Sequence, residues 1–299
     1  MPNRHLALLA VALLAIAACS PGAAPPSGSP GPTGSGSPSP SPSGVPAGAI
    51  DHPTGPTDVI LRYEEGGGMM VDINATQVPI FTLYGDGTIL FRNPMDQPPA
   101  DESFLLRYLP LKTAKLSEDQ IQEVLAYAIG PGGLGTARGD YPNPLLADAG
   151  TATFTLRAGG REKVVSIYGL IETGAEGPDA LARKAFLALA ERLRNFDDGG
   201  TYPTIAYEPP TYRAMLMETS GVVAPLHAWP WPNLNPSDFK EPEDPNAAFR
   251  LAQRVLTPAE AEAIGLGDLR GGALGIYLDG PDGKQYSLAI RPLLPGESA

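Results

Sequence analysis

Residues 20–50 limit the part of this 299-residue chain that can form a core. Of these 31 positions, 24 are Pro, Ser or Gly, and none is charged or aromatic. Such a segment buries too little apolar surface to offset the loss of chain entropy, and its composition is typical of disordered linkers. We predict a disordered Pro/Ser/Gly stalk, assigned with the cysteine before it to residues 19–57. About 250 residues then remain for one large or two small domains.

The segment before the stalk has the features of an export signal. Arg4 and His5 precede an uninterrupted apolar run of 13 residues at 6–18. This run is shorter than the roughly 20 residues that span a bilayer, and it has the length of a secretory signal core. No later apolar run approaches spanning length, so any membrane attachment needs another chemical basis.

The only cysteine of the chain, Cys19, follows that apolar run. Ile16-Ala17-Ala18-Cys19 resembles the bacterial lipobox, in which an aliphatic and two small residues precede the cysteine. The resemblance implies that residues 1–18 are a signal peptide and that Cys19 is acylated on sulfur, with chains such as palmitate. It also implies a lipoprotein held at the cell membrane on its extracytoplasmic side, where two acyl chains give stable anchoring. The alternative is a plain signal peptide with an incidental cysteine.

The charge of the chain narrows its partners. There are 21 Lys and Arg against 33 Asp and Glu, a net charge of −12. Nucleic-acid binding needs a basic surface, and so does adsorption to anionic lipid. We therefore predict no nucleic-acid partner, contact with the membrane through the Cys19 lipid anchor, and an envelope protein or glycan as candidate partner.

Alternating apolar and polar residues begin at Asp58. Residues 58–64 and 79–92 have the period of two that is typical of half-buried strands, and Gly85-Asp86-Gly87 suits a tight turn between strands. Residues 151–170 repeat the pattern, with a turn at Gly159-Gly160. Two hairpins are therefore predicted.

Amphipathic helices are predicted between and after these hairpins. One follows the capping box of Ser117 and Gln120, and another starts from Asp179. Helices that follow hairpins in this order indicate an α+β fold, an antiparallel sheet or sheets with the helices packed on one face.

The remaining sequence has a looser pattern. We predict a strand at 212–219, a helix at 246–256, a short helix capped by Thr257 and Glu260, and a closing hairpin at 273–292. The body divides into an α+β lobe at 58–198 and a smaller α+β lobe at 199–299. The pattern leaves open whether the second lobe continues the first sheet.

The order of these segments resembles a family of secreted lipoproteins from high-GC Gram-positive bacteria and Chloroflexi. The resemblance covers residues 58–299 and depends on the hairpin "LYGDGTILF", the helix "LSEDQIQEVLAYA" and the hairpin at 151–170. These motifs are turns and amphipathic segments. The resemblance therefore implies no activity and no functional residues.

Residue types that support catalysis or bind metals are scarce. His5 leaves with the signal peptide and His52 is assigned to the stalk, so His227 is the one histidine expected in the folded body. No G-x-S-x-G elbow is present, and a zinc site needs three or four ligands. Asp279 and Asp282 could bind calcium, but "DGPDG" between strands is better explained as a turn. We predict no catalytic residue, no metal and no cofactor.

Carboxylates leave one enzymatic alternative open, a carboxylate-dependent envelope hydrolase. Such an enzyme needs a pocket that holds two acidic groups with different pKa values. The sequence cannot place two carboxylates across one pocket. Its glycine clusters, such as residues 66–68, lack the context of a phosphate loop and indicate turns or mobile loops.

The segment "PLHAWPWPNLNP" is the most suggestive of binding. Both tryptophans of the chain, Trp229 and Trp231, lie here between prolines and close to His227, and Tyr141 lies in the similar loop "GDYPNP". Indoles in proline-stiffened loops make binding surfaces of low entropy cost. We predict a non-enzymatic binding or envelope-interaction module with these four ligand-binding residues. The alternative is that the tryptophans fill a seam between the lobes.

Overall fold

The computed structural model describes residues 48–67, 76–96, 105–173, 176–222, 224–243 and 251–297. The predicted signal peptide, Cys19 and the predicted stalk up to residue 47 lie outside these ranges. All the described residues fall within one unit of the chain, Val45–Ala299.

The described residues include fourteen strands in two sheets. In chain order these strands are β1 (Val59–Gly66), β2 (Phe81–Tyr84), β3 (Thr88–Phe91), β4 (Leu106–Arg107), β5 (Lys112–Lys115), β6 (Asp140–Tyr141), β7 (Thr151–Ala158), β8 (Arg161–Tyr168), β9 (Ile205–Ala206), β10 (Tyr212–Thr219), β11 (Leu226–Ala228), β12 (Ala252–Leu256), β13 (Ala273–Asp279) and β14 (Gln285–Pro292). The eight-stranded sheet has the order β6-β8-β7-β1-β2-β3-β5-β9. The six-stranded sheet has the order β11-β13-β14-β10-β12, with β4 paired to β13.

Both predicted hairpins of the eight-stranded sheet are confirmed. Strand β2 pairs with β3, and β7 pairs with β8 up to Ala158 and Arg161, on either side of the predicted two-glycine turn. Gly87 in the first turn has a φ of 85°, and a Cβ there would lie 2.5 Å from the carbonyl oxygen of Leu116. A glycine is required at that position both by the backbone angle and by the close approach of the following segment.

Four α-helices are described: α1 (Glu118–Ile129), α2 (Leu170–Thr173), α3 (Ala180–Arg194) and α4 (Pro258–Glu262). The predicted capping boxes are confirmed at Ser117 with Gln120 and at Thr257 with Glu260. Asp179 precedes α3 as predicted, but its side chain makes no capping bond and instead pairs with Arg138. A φ of 60° at Asp179 turns the chain sharply into α3.

One predicted helix is wrong. Within the predicted helix at 246–256, Ala252–Leu256 is strand β12, and residues 244–250 lie outside the described part of the chain. Strand β12 pairs antiparallel with β10 from Ala252 opposite Leu216 to Leu256 opposite Tyr212. The helix propensity of this segment is weak compared with a complete set of backbone hydrogen bonds to a neighbouring strand, so tertiary pairing decides its conformation.

One face of the eight-stranded sheet packs against α1 and α3, as the α+β prediction requires. Tyr63 and Phe154 are opposite each other on β1 and β7, and their rings stack with centroids 4.7 Å apart. Their side of the sheet and the two helices share one buried apolar cluster that includes Leu61, Phe81, Leu83, Ile89, Phe91, Val124, Leu125, Phe186, Leu189 and Leu193. This cluster is the larger core of the protein.

Contacts join the two sheets across the predicted lobe boundary. Arg92, after β3, donates from Nη1 to the carbonyl oxygens of Leu109 and Gly271 at 3.3 and 2.9 Å. On the face of the eight-stranded sheet opposite the helices, Tyr84 and Leu90 pack with Leu294 from the C-terminal segment. The chain before residue 199 thus supplies β4 to the six-stranded sheet, and the chain after it supplies β9 to the eight-stranded sheet.

The last residues of the predicted stalk contact the body. The backbone N–H of Ile50 donates to Oε1 of Gln122 at 2.7 Å, and Nε2 of Gln122 donates back to the Ile50 carbonyl oxygen at 3.0 Å. His52 has a side chain that is only 5% exposed, and its Nε2 lies 3.1 Å from Oε1 of Glu118. Ordered contacts with α1 therefore begin by residue 50, ahead of the sequence-derived boundary at residue 57.

Candidate functional site

The structure places the two tryptophans among aromatic side chains of the six-stranded sheet. Trp231 is 4% exposed and donates from Nε1 to the carbonyl oxygen of Glu260 at 2.8 Å. Trp229 is half-buried and donates to the carbonyl oxygen of Leu234 at 2.7 Å. The two indoles meet edge to face at 5.2 Å, and Phe239 lies beside both. Both indole donors are bonded within the fold, and the tryptophans pack in the apolar cluster of the six-stranded sheet instead of filling a seam between the predicted lobes.

The other sequence-derived candidates lie apart from one another. His227 is half-buried on β11 and pairs in parallel register with Leu278. Tyr141 is 5% exposed in the core below α3, where its ring meets Phe186 edge to face at 4.9 Å. The structure brings Trp229 and Trp231 together and leaves Tyr141 in a different core. Ligand binding by these four residues remains a prediction from the sequence, and Cys19 lies outside the described residues.

A cavity of about 430 Å³ lies at the end of β1 and the start of β7, and we call it the β1–β7 cavity. Its wall combines strand residues with the C-terminal segment. The lining residues are Glu64, Glu65, Gly66, Gly67, Gln77, Val78, Pro79, Thr151, Thr153, Arg291 and Glu297. A volume of this size is within the range of small-molecule sites.

Strand register explains why polar side chains line the cavity. Glu64 is opposite Thr153 and Gly66 is opposite Thr151 in the β1–β7 pair. Since successive side chains of a strand point to opposite faces, these residues lie on the face away from Tyr63 and the helices. Gly66 has no side chain, which leaves space above the sheet at the end of β1.

The C-terminal segment forms the second wall. Arg291, on β14, is 7% exposed and donates from Nη1 to Oε2 of Glu297 at 2.8 Å and to the carbonyl oxygen of Pro292 at 3.2 Å. The same Glu297 oxygen accepts the backbone N–H of Leu294 at 3.0 Å. This closed set of bonds fixes the shape of the turn after β14.

The three carboxylates of the cavity differ in their ion pairs. Glu65 accepts from Nη2 of Arg194 at 2.8 Å, and Glu297 is bonded to Arg291 at the same distance. Among the described residues, the ion pair of Glu64 is a longer contact of 3.9 Å to Nη1 of Arg62. Glu64 is therefore the least neutralised acid of the cavity.

The pKa of Glu64 also distinguishes it from an ordinary glutamate. Desolvation by burial raises the pKa of Glu64 above its ordinary value, and the charge of Glu297 adds to this rise. The cations of Arg62 and Arg291 oppose it without cancelling it. A carboxyl group in this position holds its proton more strongly than a solvated glutamate, and its charged form lacks a close counter-ion.

Metal binding has little support in the described ranges. No group of three or more His, Cys, Asp or Glu side chains there is arranged to hold an ion. The sequence suggests Asp282 as a candidate calcium ligand. In the structure its carboxylate accepts hydrogen bonds from the hydroxyl of Tyr286 at 2.7 Å and from the backbone N–H of Lys284 at 3.2 Å. These are the bonds of a hairpin turn.

Sequence reasoning missed the β1–β7 cavity. The motif "YEEGGG" contained a signal, since two acids at a strand end precede three glycines that a binding site could use as open space. The interpretation of residues 66–68 as a turn assigns no role to Glu64 and Glu65. Arg291 and Glu297 are more than 200 residues away in the chain, and their arrival depends on how the two sheets pack.

Comparisons with known proteins give no relative to guide the function. No protein-family model matches the chain, and no curated protein matches it. In the described part of the chain, no helix has both the length and the apolar character needed to cross a bilayer.

Proposed function

We propose that this chain is an extracytoplasmic lipoprotein, held at the cell membrane through acylated Cys19, whose body binds a small polar ligand in the β1–β7 cavity. The lipobox-like sequence and the short apolar leader support the anchor. The cavity supports the binding role. An envelope protein or a glycan that presents such a polar group is the expected source of the ligand.

The observation that carries the binding role is the polar wall of the cavity. Thr151, Thr153 and Gln77 line it, and none of their side chains makes a hydrogen bond to another residue of the described ranges. Thr151 and Thr153 are half-buried, whereas Gln77 is exposed, and half-buried polar groups are usually paired within a fold. The two threonine hydroxyls, without a partner among the described residues, are therefore suited to a ligand that supplies one, and Gln77 offers a third hydrogen-bonding group at the rim.

The anchor is tested by changing Cys19→Ser in the full chain. We expect the parent to remain with the membrane fraction and the variant to be released, because the thiol is the only acylation site of this kind. Ser20→Ala is the matched control and should stay with the membrane. Mass spectrometry of the parent should show an acylated Cys19 at the mature N-terminus. An unmodified Cys19, or a C19S variant that stays with the membrane, would contradict the anchor.

The binding site is tested by filling the cavity. Thr153→Trp places an indole on the cavity wall, and Val164→Trp places one on the same sheet face at a position that does not line the cavity. The full chain in detergent is screened by thermal shift against amines, amino acids, neutral sugars and phosphates. A ligand at about 100 times its dissociation constant contributes about 2.7 kcal/mol, or a rise of about 5–10 °C.

The outcome of this screen is clear in either direction. We expect at least one class of compound to stabilise the parent and V164W but not T153W. If T153W responds as the parent does, or if no class stabilises the parent, the cavity is not a ligand site.

A second candidate function is the carboxylate-dependent hydrolase. The β1–β7 cavity is lined by Glu64, with its raised pKa, and by Glu65 and Glu297, which are each paired with an arginine. A carboxyl group with a raised pKa in the same pocket as a carboxylate paired with a cation is the pattern of a general acid–base pair. Release of reducing ends from purified peptidoglycan by the parent, and its loss in Glu64→Gln, would favour this function. Ligand binding without such release favours the binding role.

A further inference from the structure

Charge pairing in the β1–β7 cavity indicates which kind of ligand it accepts. Among the cavity's acids, Glu65 and Glu297 each have an arginine nitrogen at 2.8 Å, whereas Glu64 has only the contact of 3.9 Å to Arg62. The Glu64 carboxylate consequently faces the cavity with most of its hydrogen-bonding capacity unused. A cationic group in the cavity would supply the missing partner.

An anionic ligand has less to bind. Arg291 is the one cation of the cavity wall in the described ranges, and it already donates to Glu297 and to the carbonyl oxygen of Pro292. An anion would have to displace Glu297 and would also face the charge of Glu64. The negative charges of Glu64 and Glu297 would repel an anion in the cavity, so the wall discriminates against carboxylates and phosphates.

The polar residues of the wall indicate which groups the ligand carries besides its cationic group. The hydroxyls of Thr151 and Thr153 and the amide of Gln77 surround the same space, and a Cβ on Gly66 would lie 3.1 Å from Oε1 of Gln77. These groups can both donate and accept hydrogen bonds. They match hydroxyl or amide groups better than a hydrocarbon.

We infer that the ligand of the β1–β7 cavity is a small hydroxylated primary amine, bound with its ammonium group on Glu64 and its hydroxyls on Thr151, Thr153 and Gln77. This inference rests on the proposed binding function. Amino sugars and amino alcohols have this chemistry. The Glu64 side chain is 42% exposed, and the ammonium group supplies a close counter-ion to its ionised carboxylate.

The test compares three sugars that share one ring and differ in charge. Glucosamine carries an ammonium group, glucose is neutral and glucuronate is an anion. Isothermal titration of the full chain in detergent at pH 7 should give an affinity for glucosamine at least tenfold higher than for glucose, and no measurable binding of glucuronate. Glu64→Gln should lower the affinity for glucosamine by about tenfold and leave that for glucose unchanged, since charge-assisted bonds are about twice as strong as neutral ones.

Two controls separate charge at the site from charge in general. Glu162→Gln removes a carboxylate from the same sheet face, where it pairs with Arg157 away from the cavity wall, and it should leave glucosamine binding unchanged. Glu64→Asp keeps the charge on a shorter side chain and should bind glucosamine more tightly than E64Q does. Circular dichroism of each variant confirms that the fold is retained.

The possible results distinguish the inference from the function on which it rests. If glucose or glucuronate binds as tightly as glucosamine and T153W abolishes that binding, the cavity is a ligand site but the amine inference is wrong. Absence of glucosamine binding, or equal losses in E64Q and E162Q, also overturns the inference. If glucosamine binds to T153W as it does to the parent, the cavity itself is not the site and the proposed function falls with the inference.

Discussion

Where β1 pairs with β7, the two faces of the eight-stranded sheet are built from alternate residues of the same strands, yet they have opposite character. On the helix face, Tyr63 and Phe154 are fully buried in the larger core. On the other face, Glu64 and Thr153 directly follow and precede them in the sequence and line a cavity. At the end of β1 and the start of β7 the apolar packing lies on the helix face, whereas farther along the sheet the opposite face also packs, with Tyr84 and Leu90 against Leu294.

This difference shows where the protein tolerates unpaired polar groups. The helix face has matched aromatic and aliphatic surfaces, and its buried area stabilises the fold in proportion to the apolar surface removed from water. The cavity end of the opposite face holds a carboxylate with a long ion-pair contact and three side chains that make no hydrogen bond within the described ranges. Sites that violate local packing rules are often those that bind or react.

The largest expected effect contrasts neighbouring residues of β7. Phe154→Ala removes a buried ring that stacks on Tyr63, and it should lower the free energy of unfolding by about 3–5 kcal/mol. Thr153→Ala, one position earlier on the cavity face, should change it by less than about 1 kcal/mol. Urea denaturation followed by circular dichroism measures both. Equal losses would mean that the two faces share the packing energy.

A comparable loss is expected at Trp231 in the smaller core. Trp231→Ala removes a buried indole and its hydrogen bond to Glu260, at a cost of about 3–5 kcal/mol. Affinity for a cavity ligand should be unchanged, because Trp231 does not line the β1–β7 cavity. Titration at a temperature where the variant stays folded checks this. If W231A lost ligand binding but kept its stability, the ligand site would lie in the tryptophan loop and not in the β1–β7 cavity.

A smaller effect is expected on how the stability of the protein changes with pH when Glu64 is replaced. Burial raises the pKa of Glu64 above its ordinary value of 4.5, so its contribution to stability is fully present below about pH 4.5 and is lost as the pH rises through the folded-state pKa. Glu64→Gln should therefore be more stable than the parent at pH 8, with a difference that shrinks towards pH 4. Urea midpoints across this range measure it, and a difference independent of pH would contradict the assignment.

Asp268→Asn is the matched variant for which we expect the opposite dependence of stability on pH. Hydrogen bonds from the Arg270 side chain lower the pKa of Asp268, so this residue stabilises the fold above its unfolded-state pKa and loses that effect as the pH falls through the folded-state value. D268N should be less stable than the parent at pH 7 and equal to it in acid. Opposite pH trends in E64Q and D268N would show that burial dominates at one carboxylate and ion pairing at the other.

The smallest effect is expected at an exposed ion pair outside both faces. Nζ of Lys284 lies 2.7 Å from Oε2 of Glu218, and both side chains are more than half exposed. Lys284→Gln should change the free energy of unfolding by no more than about 0.5 kcal/mol, because solvent and salt screen such pairs. The same urea measurements give this baseline. A larger loss would show that surface charge, and not the helix face, contributes a substantial part of the stability.

Local chemistry was enough to predict many of the elements. The hairpin of β2 and β3 follows from residue alternation and a glycine turn, and the start of α1 follows from the reciprocal bonds of Ser117 and Gln120. These features depend on residues close in the sequence, so no distant contact is needed to specify them. Strand β12 shows the limit of this reasoning, since its conformation is decided by pairing with β10.

The sequence by itself determined the α+β class, the positions of the principal hairpins and helices, and the lipobox-like motif at Cys19. Only the tertiary structure decided that Trp231 is a core residue, that His52 packs against α1, and that Arg291 and Glu297 meet Glu64 around one cavity. The physical reason is the range of the interactions. Turns, caps and periodicity act over a few residues, whereas a cavity forms where separate parts of the chain pack incompletely.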